Sequence, residues 1–126
     1  MLRSTLAIGD RGTILDLNVQ LDIDHDRPQD LEVFLEHPQG LRVQLLSNFG
    51  GQQLNEFVLD DDAELPISAV NHPNIRTFRP ETHLSVLEDL SVEGLWTLEI
   101  RDNRKQKHGI LNSWSILGQI LSEGSA

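Results

Sequence analysis

The sequence contains no cysteine and no tyrosine, and only two tryptophans and four phenylalanines among its 126 residues. Without cysteine no disulfide can stabilise the fold, so a hydrophobic core or a bound ion must do so. Few aromatic residues are left for a ligand surface, although a carbohydrate-binding jelly roll needs exposed aromatic side chains on one sheet face. We therefore rank carbohydrate binding third among the functions considered below.

Long apolar runs are also missing. No run reaches the roughly 18–20 residues of a membrane span, and the N-terminus lacks the basic and then apolar pattern of a signal peptide. We therefore expect no membrane insertion. Since a signal peptide belongs to the start of a precursor, its absence from this stretch does not decide where the parent protein is located.

Basic residues are half as numerous as acidic ones. The 10 lysines and arginines face 20 aspartates and glutamates, which gives a formal net charge of -10. Such a surface repels nucleic acids and anionic membranes, so neither is an expected partner. Cations and basic partners fit the charge better. The length predicts one domain over residues 1–126 with a frayed tail at 122–126. We expect this domain to be monomeric in isolation.

Alternation of apolar and polar residues with a period of two predicts β-strands along most of the chain. Residues 13–23 show it most clearly, residues 31–46 predict a hairpin around the turn at His37–Gly40, and residues 57–59 predict a short strand. The only helical spacing lies at 80–90 and allows one or two turns. The apolar positions of the first strand are Leu15, Leu17, Val19, Leu21 and Ile23.

The stretch from Gly94 to Ile116 holds both tryptophans. Trp96 begins one alternating run, and a second apolar run that carries Trp114 follows a charged segment, so the pattern predicts a long antiparallel hairpin. Each indole buries roughly 150–250 Å², and we therefore expect both in the core. The step Asn112-Ser113 interrupts the alternation, which predicts a β-bulge there. Many short strands and almost no helix predict an all-β sandwich, whose topology periodicity alone leaves open.

Catalytic groups do not form a recognisable arrangement. Serines, five histidines and many aspartates are present, but no GxSxG sequence marks a nucleophile, and no HxH or HExxH spacing brings two histidines to one zinc ion. We predict that the chain is not an enzyme. The histidines are expected to be solvated or to cap turns.

Several short motifs follow one another along the chain. They are His25 with Asp30-Leu31, the turn His37-Pro38-Gln39-Gly40, the acidic run Asp60-Asp61-Asp62-Ala63, Phe78-Arg79-Pro80, and GLWTLEIRDN with GILNSWSI at 94–116. Together they resemble the P domain, a β-sandwich found beside the catalytic domain of proprotein convertases and of bacterial subtilisin-like serine proteases. The resemblance covers roughly residues 8–120 and implies that His25 lies at the end of a core strand, as an exception among the histidines. Gln29 and the pair Gln52-Gln53 depart from the family pattern.

This resemblance implies a jelly-roll β-sandwich of the galactose-binding-like type. It also implies a non-catalytic accessory domain of a secreted subtilisin-like serine endopeptidase, which supports the folding, stability or calcium dependence of the protease domain. The alternative is a free-standing adhesion or protein-binding module of a surface or secreted protein. The residues that precede Met1 in the gene product discriminate between the two.

Calcium is the one cofactor that the residues suggest. It takes six to eight oxygen ligands and is often bound by aspartate-rich loops. The run Asp60, Asp61 and Asp62 matches a family motif, and we expect further ligands from Asp30 and Asn55 and from backbone carbonyls at Gly50-Gly51. Two other acidic clusters, Asp22–Asp30 and Glu88–Glu93, are further candidates, and of these Glu88–Glu93 is expected to be solvated surface. The basic run Arg104–Lys107 is expected to form a hairpin tip rather than a docking patch.

Overall fold

Strands account for most of the computed structural model, which describes residues 2–25, 31–47, 54–66, 77–102 and 109–122. A single turn of 3-10 helix, Leu84–Leu87, lies between the sixth and seventh strands. The strands are β1 (Leu2–Ile8), β2 (Gly12–His25), β3 (Leu31–Glu36), β4 (Arg42–Ser47), β5 (Leu54–Leu59), β6 (Thr77–Phe78), β7 (Gly94–Asp102) and β8 (Gly109–Ser122).

Two four-stranded sheets face each other. The first has the order β1-β7-β3-β4 and the second the order β6-β5-β2-β8. All neighbours are antiparallel except β5 and β6. This confirms the predicted all-β sandwich, and the strand order is consistent with a jelly roll. None of the described residues belongs to a helix long and apolar enough to cross a membrane.

The core lies between the two inner faces. Trp96 and Leu98 of β7 are fully buried and belong to the same core cluster as Val19 and Leu21 of β2, which are also fully buried. Complete burial of one such aliphatic side chain stabilises the folded state by about 1.5–3 kcal/mol. The apolar positions of the alternating strands therefore form the inner faces of the two sheets, which pack against each other.

The predicted hairpin over residues 94–116 is wrong in its pairing. β7 lies in the first sheet between β1 and β3, whereas β8 is the outermost strand of the second sheet and pairs with β2. The connection therefore crosses from one sheet to the other. Alternation assigns each strand a buried face but does not specify its neighbour, so it could not separate a hairpin from a crossover.

Two bulges change which residues face the core. Leu15, expected inside, is 47% exposed, and Ile14 is buried in its place. The register between β2 and β8 shifts between Ile14 and Asp16, so the alternation changes phase at this point. The second shift leaves Asn112 as the extra residue, because Asp22 pairs with Ser113 and Ile23 with Leu111. This confirms the bulge predicted at Asn112-Ser113.

The hairpin of β3 and β4 is confirmed, with one difference at its turn. Leu41 lies just before β4 and is exposed, while a register shift near Val33 buries both Leu45 and Leu46. The predicted helical turn is present as the 3-10 helix. Of the tail predicted at 122–126, Ser122 belongs to β8 and pairs with Gly12, while residues 123–126 lie outside the described residues.

β1 was not anticipated. It pairs with β7 over its whole length, from Leu2 opposite Ile100 to Ile8 opposite Gly94. Leu2, Ser4, Leu6 and Ile8 carry the same period of two as the other strands, so the signal was present but short. Gly94 has a φ of +134°, and a Cβ atom there would lie 2.6 Å from a side-chain carbon of Pro38. Glycine is therefore required where β7 begins.

Candidate functional site

The acidic run at 60–62 begins where β5 ends. The backbone N–H of Asp60 donates to Phe78 O at 2.9 Å, and the N–H of Ala63 donates to Asp60 O at 3.0 Å, which closes a turn. Within this turn, Oδ1 of Asp60 accepts a hydrogen bond from the N–H of Asp62 at 2.9 Å. Its Oδ2 lies 3.4 Å from Nδ2 of Asn18. The side chain of Asp60 therefore stabilises the turn that presents its two neighbours.

Asp61 reaches across to the 3-10 helix. Its Oδ1 accepts from the N–H of Leu84 at 2.7 Å, and its Oδ2 accepts from the N–H of Ser85 at 2.8 Å. Two N–H groups at the start of a helix have no partner within it, so a carboxylate that receives both acts as a cap. The side chain is 19% exposed, and Nδ1 of His83 is 3.8 Å from Oδ1. Asp61 thus joins the end of β5 to the helix.

The three carboxylates of the run have different surroundings. Asp60 bonds to its own turn, Asp61 caps the helix, and Asp62 is exposed. Among the described residues, no three acidic or histidine side chains are placed to hold one metal ion together. Asp30 and the side chain of Asn55 lie outside the described part of the chain. The calcium site therefore stays a prediction, and the observed partners of Asp60 and Asp61 include backbone amides.

A second charged cluster covers the outer face of the first sheet. Glu99 of β7 has only 4% of its side chain exposed. Its Oε1 is 3.1 Å from Nη2 of Arg3, and its Oε2 lies against Arg42 and 3.4 Å from Nε of Arg101. Three arginines on three different strands thus enclose one carboxylate. Nonlocal pairing created this cluster, so the sequence pattern alone gave no signal for it.

Phe34 completes this surface. The guanidinium carbon of Arg42 lies 4.2 Å from the ring centroid and that of Arg101 lies 5.2 Å away, within the range of cation–π attraction. The recess among these side chains has a volume of about 20 Å³, which holds about one water molecule. The cluster therefore ties β1, β7, β3 and β4 together and offers no room for a larger ligand.

His37 differs from the expectation for the histidines because it is buried. It caps its own turn, as predicted, since its Nδ1 accepts from the N–H of Gln39 at 3.1 Å. Its Nε2 is 2.7 Å from Ser91 O and donates to it, and the ring meets Trp96 edge-on at 4.9 Å between centroids. Both ring nitrogens are thus used in holding the β3–β4 turn against the core. The description of His25 does not extend to its side chain.

The family model described as the proprotein convertase P-domain matches residues 14–117, which is most of the chain and begins after β1. Within this match lie the acidic run at 60–62, the buried His37, and Glu99 with Arg42 and Arg101, whereas Arg3 of the Glu99 cluster precedes it. No curated protein sequence matches the chain.

Solved structures similar to this fold include two of a serine protease from Aeromonas sobria. One is a complex with a chaperone and matches with 23% sequence identity and a TM-score of 0.59; the other is of the protease and matches with 22% identity and a TM-score of 0.58. In both cases the match covers 90% of this chain and 22% of the solved chain. The chain thus spans about a fifth of the length of these solved proteins, and at such identity the likeness concerns the fold.

Proposed function

From the premise that the chain belongs to the proprotein convertase P-domain family, we propose that it is a non-catalytic accessory domain of a secreted subtilisin-like serine endopeptidase. The match of the family model over residues 14–117 is the observation that carries this proposal. The similarity in fold to one region of a larger serine protease supports it. In such a protein most of the chain is left for other domains, the catalytic one among them.

The role of the domain is to stabilise the attached protease. A domain that binds only the folded form of its neighbour shifts the folding equilibrium of that neighbour towards the folded state. Covalent attachment gives the two domains an effective concentration in the millimolar range, so even a weak contact is occupied most of the time. The family match does not name the contact surface.

The full-length gene product tests this function. We expect DxG, HGT and GTS motifs of a subtilisin-like protease in the same polypeptide, casein cleavage by the whole protein and none by residues 1–126 alone. Trp96→Ala, which removes a buried indole, should lower the melting temperature of the protease domain. Val86→Ala is the matched control, since Val86 is 48% exposed on the 3-10 helix.

Two results would contradict the proposal. A gene product without a protease domain would leave a free-standing binding module as the better interpretation. Casein cleavage by the isolated chain that responds to mutation of one of its own serines would show that the domain is itself catalytic.

A further inference from the structure

One side of the sandwich contains an apolar cleft. The edge strands β1 and β8 are joined there by a hydrogen bond from Nε1 of Trp114 to Oγ of Ser4, 2.9 Å long. The cleft has a volume of about 230 Å³, far above the roughly 10–15 Å³ that one water molecule needs. Its walls are aliphatic side chains from both strands, with Leu17 and Val92 also lining it; those of the two strands are Leu6, Ile8, Ile116 and Ile120.

Gly118 is the reason why β8 does not fill this space. It pairs with Leu17, whose side chain is buried in the core, so a side chain at 118 would point towards the same face. A Cβ atom at this position would lie 3.0 Å from the backbone oxygen of Asp16, closer than nearly all real contacts. The close approach of β2 and β8 thus favours glycine, and its missing side chain leaves part of the cleft empty.

The backbone next to the cleft has an unused edge. β8 pairs only with β2, and β1 pairs only with β7, so in the described ranges each strand has one edge that faces no other strand. An unpaired strand edge presents N–H and C=O groups to which another extended chain can bind. β8 also carries two exposed leucines on its outer face, Leu117 and Leu121, which are 49% and 63% exposed and flank Gln119.

We propose that an extended segment of the attached protease domain adds a strand to the free edge of β8 and places an aliphatic side chain in the cleft. This inference rests on the proposed function. A small apolar ligand would use the cleft but leave the backbone edge and the outer leucines uncovered. An extended polypeptide can cover the cleft, the backbone edge and the outer leucines together, because it offers both main-chain hydrogen bonds and alternating side chains.

The charge of the domain adds a requirement for the segment. Among the described residues that line the cleft, Asp10 is the one that is charged, and the whole chain carries a net charge of -10. A lysine or arginine beside the inserted aliphatic residue would therefore meet a favourable potential. The segment should be aliphatic at its centre and basic at one end.

Hydrogen exchange of the full-length protein tests this contact. In an antiparallel pair about half of the amides of β8 point away from β2. We expect those between Ile116 and Leu121 to exchange at least tenfold more slowly in the full-length protein than in the isolated chain. Leu117→Lys should remove this protection, because it places a charge in the contact without disturbing the core. Leu41→Lys, at a leucine 44% exposed next to β4, is the matched control and should retain it.

A second variant addresses the cleft itself. Ile8→Phe adds apolar volume to one wall, so it should exclude the inserted side chain and reduce the protection of β8 while the isolated domain stays folded by circular dichroism. Equal exchange of β8 in the two proteins, with a protease domain present and another face protected, would overturn this inference and leave the proposed function intact. A gene product without a protease domain would overturn both.

Discussion

Among the described residues, the chain covers the strand edges on one side of the sandwich and leaves them uncovered on the other. The N–H groups of Glu81 and Thr82 donate to Leu45 O and Gln44 O along β4, and the N–H of Arg79 donates to Leu65 O beside β6. On the opposite side, between β1 and β8, the bond from Trp114 to Ser4 lies next to the 230 Å³ cleft. Within the described residues, the side of β4 and β6 is closed, because its strand edges are covered. The side of β1 and β8 is open, because it retains free backbone groups and apolar walls.

This difference identifies the surface that needs a partner. Proteins protect strand edges by covering them, by shortening them or by placing charges on them. β4 and β6 are short and covered, while β8 is fourteen residues long and exposes Leu117 and Leu121 near its end. A long, uncovered and apolar edge favours aggregation unless another chain occupies it. The side of β1 and β8 therefore fits an interdomain contact better than the side of β4 and β6.

We expect the largest difference in stability between a substitution in the core and one on the open side. Trp96 is fully buried and donates from Nε1 to Val92 O at 2.9 Å, whereas Trp114 is only half-buried at the open side. We expect Trp96→Ala to lower the free energy of unfolding by about 3–5 kcal/mol and Trp114→Ala by about half as much, in proportion to the buried area. Urea denaturation of both variants measures this. Equal losses would mean that the open side is as well packed as the core.

Calcium binding would stabilise the closed side of the sandwich, where the acidic run at 60–62 lies beside β6. An ion that binds only the folded state stabilises it by RT ln(1 + [L]/Kd), about 2.7 kcal/mol when free calcium is a hundred times the dissociation constant. The melting temperature of the parent should then rise by several degrees in millimolar calcium, but not in magnesium or chelator. Asp62→Asn should reduce the rise. Identical melting in all three solutions would leave turn formation and helix capping as the roles of this acidic run.

The cap made by Asp61 should have a smaller effect, which is independent of calcium. An asparagine at 61 keeps one oxygen acceptor but presents an NH₂ group to the second backbone N–H and loses the negative charge. In chelator we expect Asp61→Asn to lower the free energy of unfolding by about 1–2 kcal/mol. Asp62→Asn, at an exposed position, is the control and should stay within about 0.5 kcal/mol of the parent. Two equal losses would contradict the assignment of the cap.

Much of the fold followed from the sequence because local alternation determines which residues are buried. The strands around Val19, Val33 and Trp96 were all predicted from it, and so was the bulge at Asn112. The phase change at Leu15 was missed because a bulge within a run of apolar residues at Ile14 and Leu15 leaves either phase acceptable. In that case only the register with β8 decides which leucine or isoleucine faces the core.

Features that depend on distant parts of the chain were not predictable in this way. The placement of β7 and β8 in different sheets, and the enclosure of Glu99 by three arginines, depend on strand order. The role of Asp61 was also hidden, because its partners Leu84 and Ser85 are more than twenty residues away. The acidic run suggested a metal, since sequence shows the charges of a loop but not the backbone amides that will face them.

We expect the smallest change in stability when the side-chain hydrogen bond of a serine is removed on either side of the sandwich. Oγ of Ser4 accepts from Nε1 of Trp114 on the open side, and Oγ of Ser47 donates to the carboxylate of Glu81 at 2.8 Å on the closed side. Ser47→Ala leaves the backbone bonds of Glu81 and Thr82 to β4 in place, so it should cost no more than about 0.5 kcal/mol.

Ser4→Ala leaves the half-buried indole N–H of Trp114 without its acceptor and should cost about 0.5–1.5 kcal/mol. Because the bond to Ser4 links β1 to β8, its loss should also speed hydrogen exchange in β1 more than in β4. Denaturant unfolding and residue-resolved exchange on the two variants measure both quantities. If Ser47→Ala were the more costly change, the β4 side would depend more on a single side-chain hydrogen bond than the β1 side does. The distinction between a closed and an open side would then not hold.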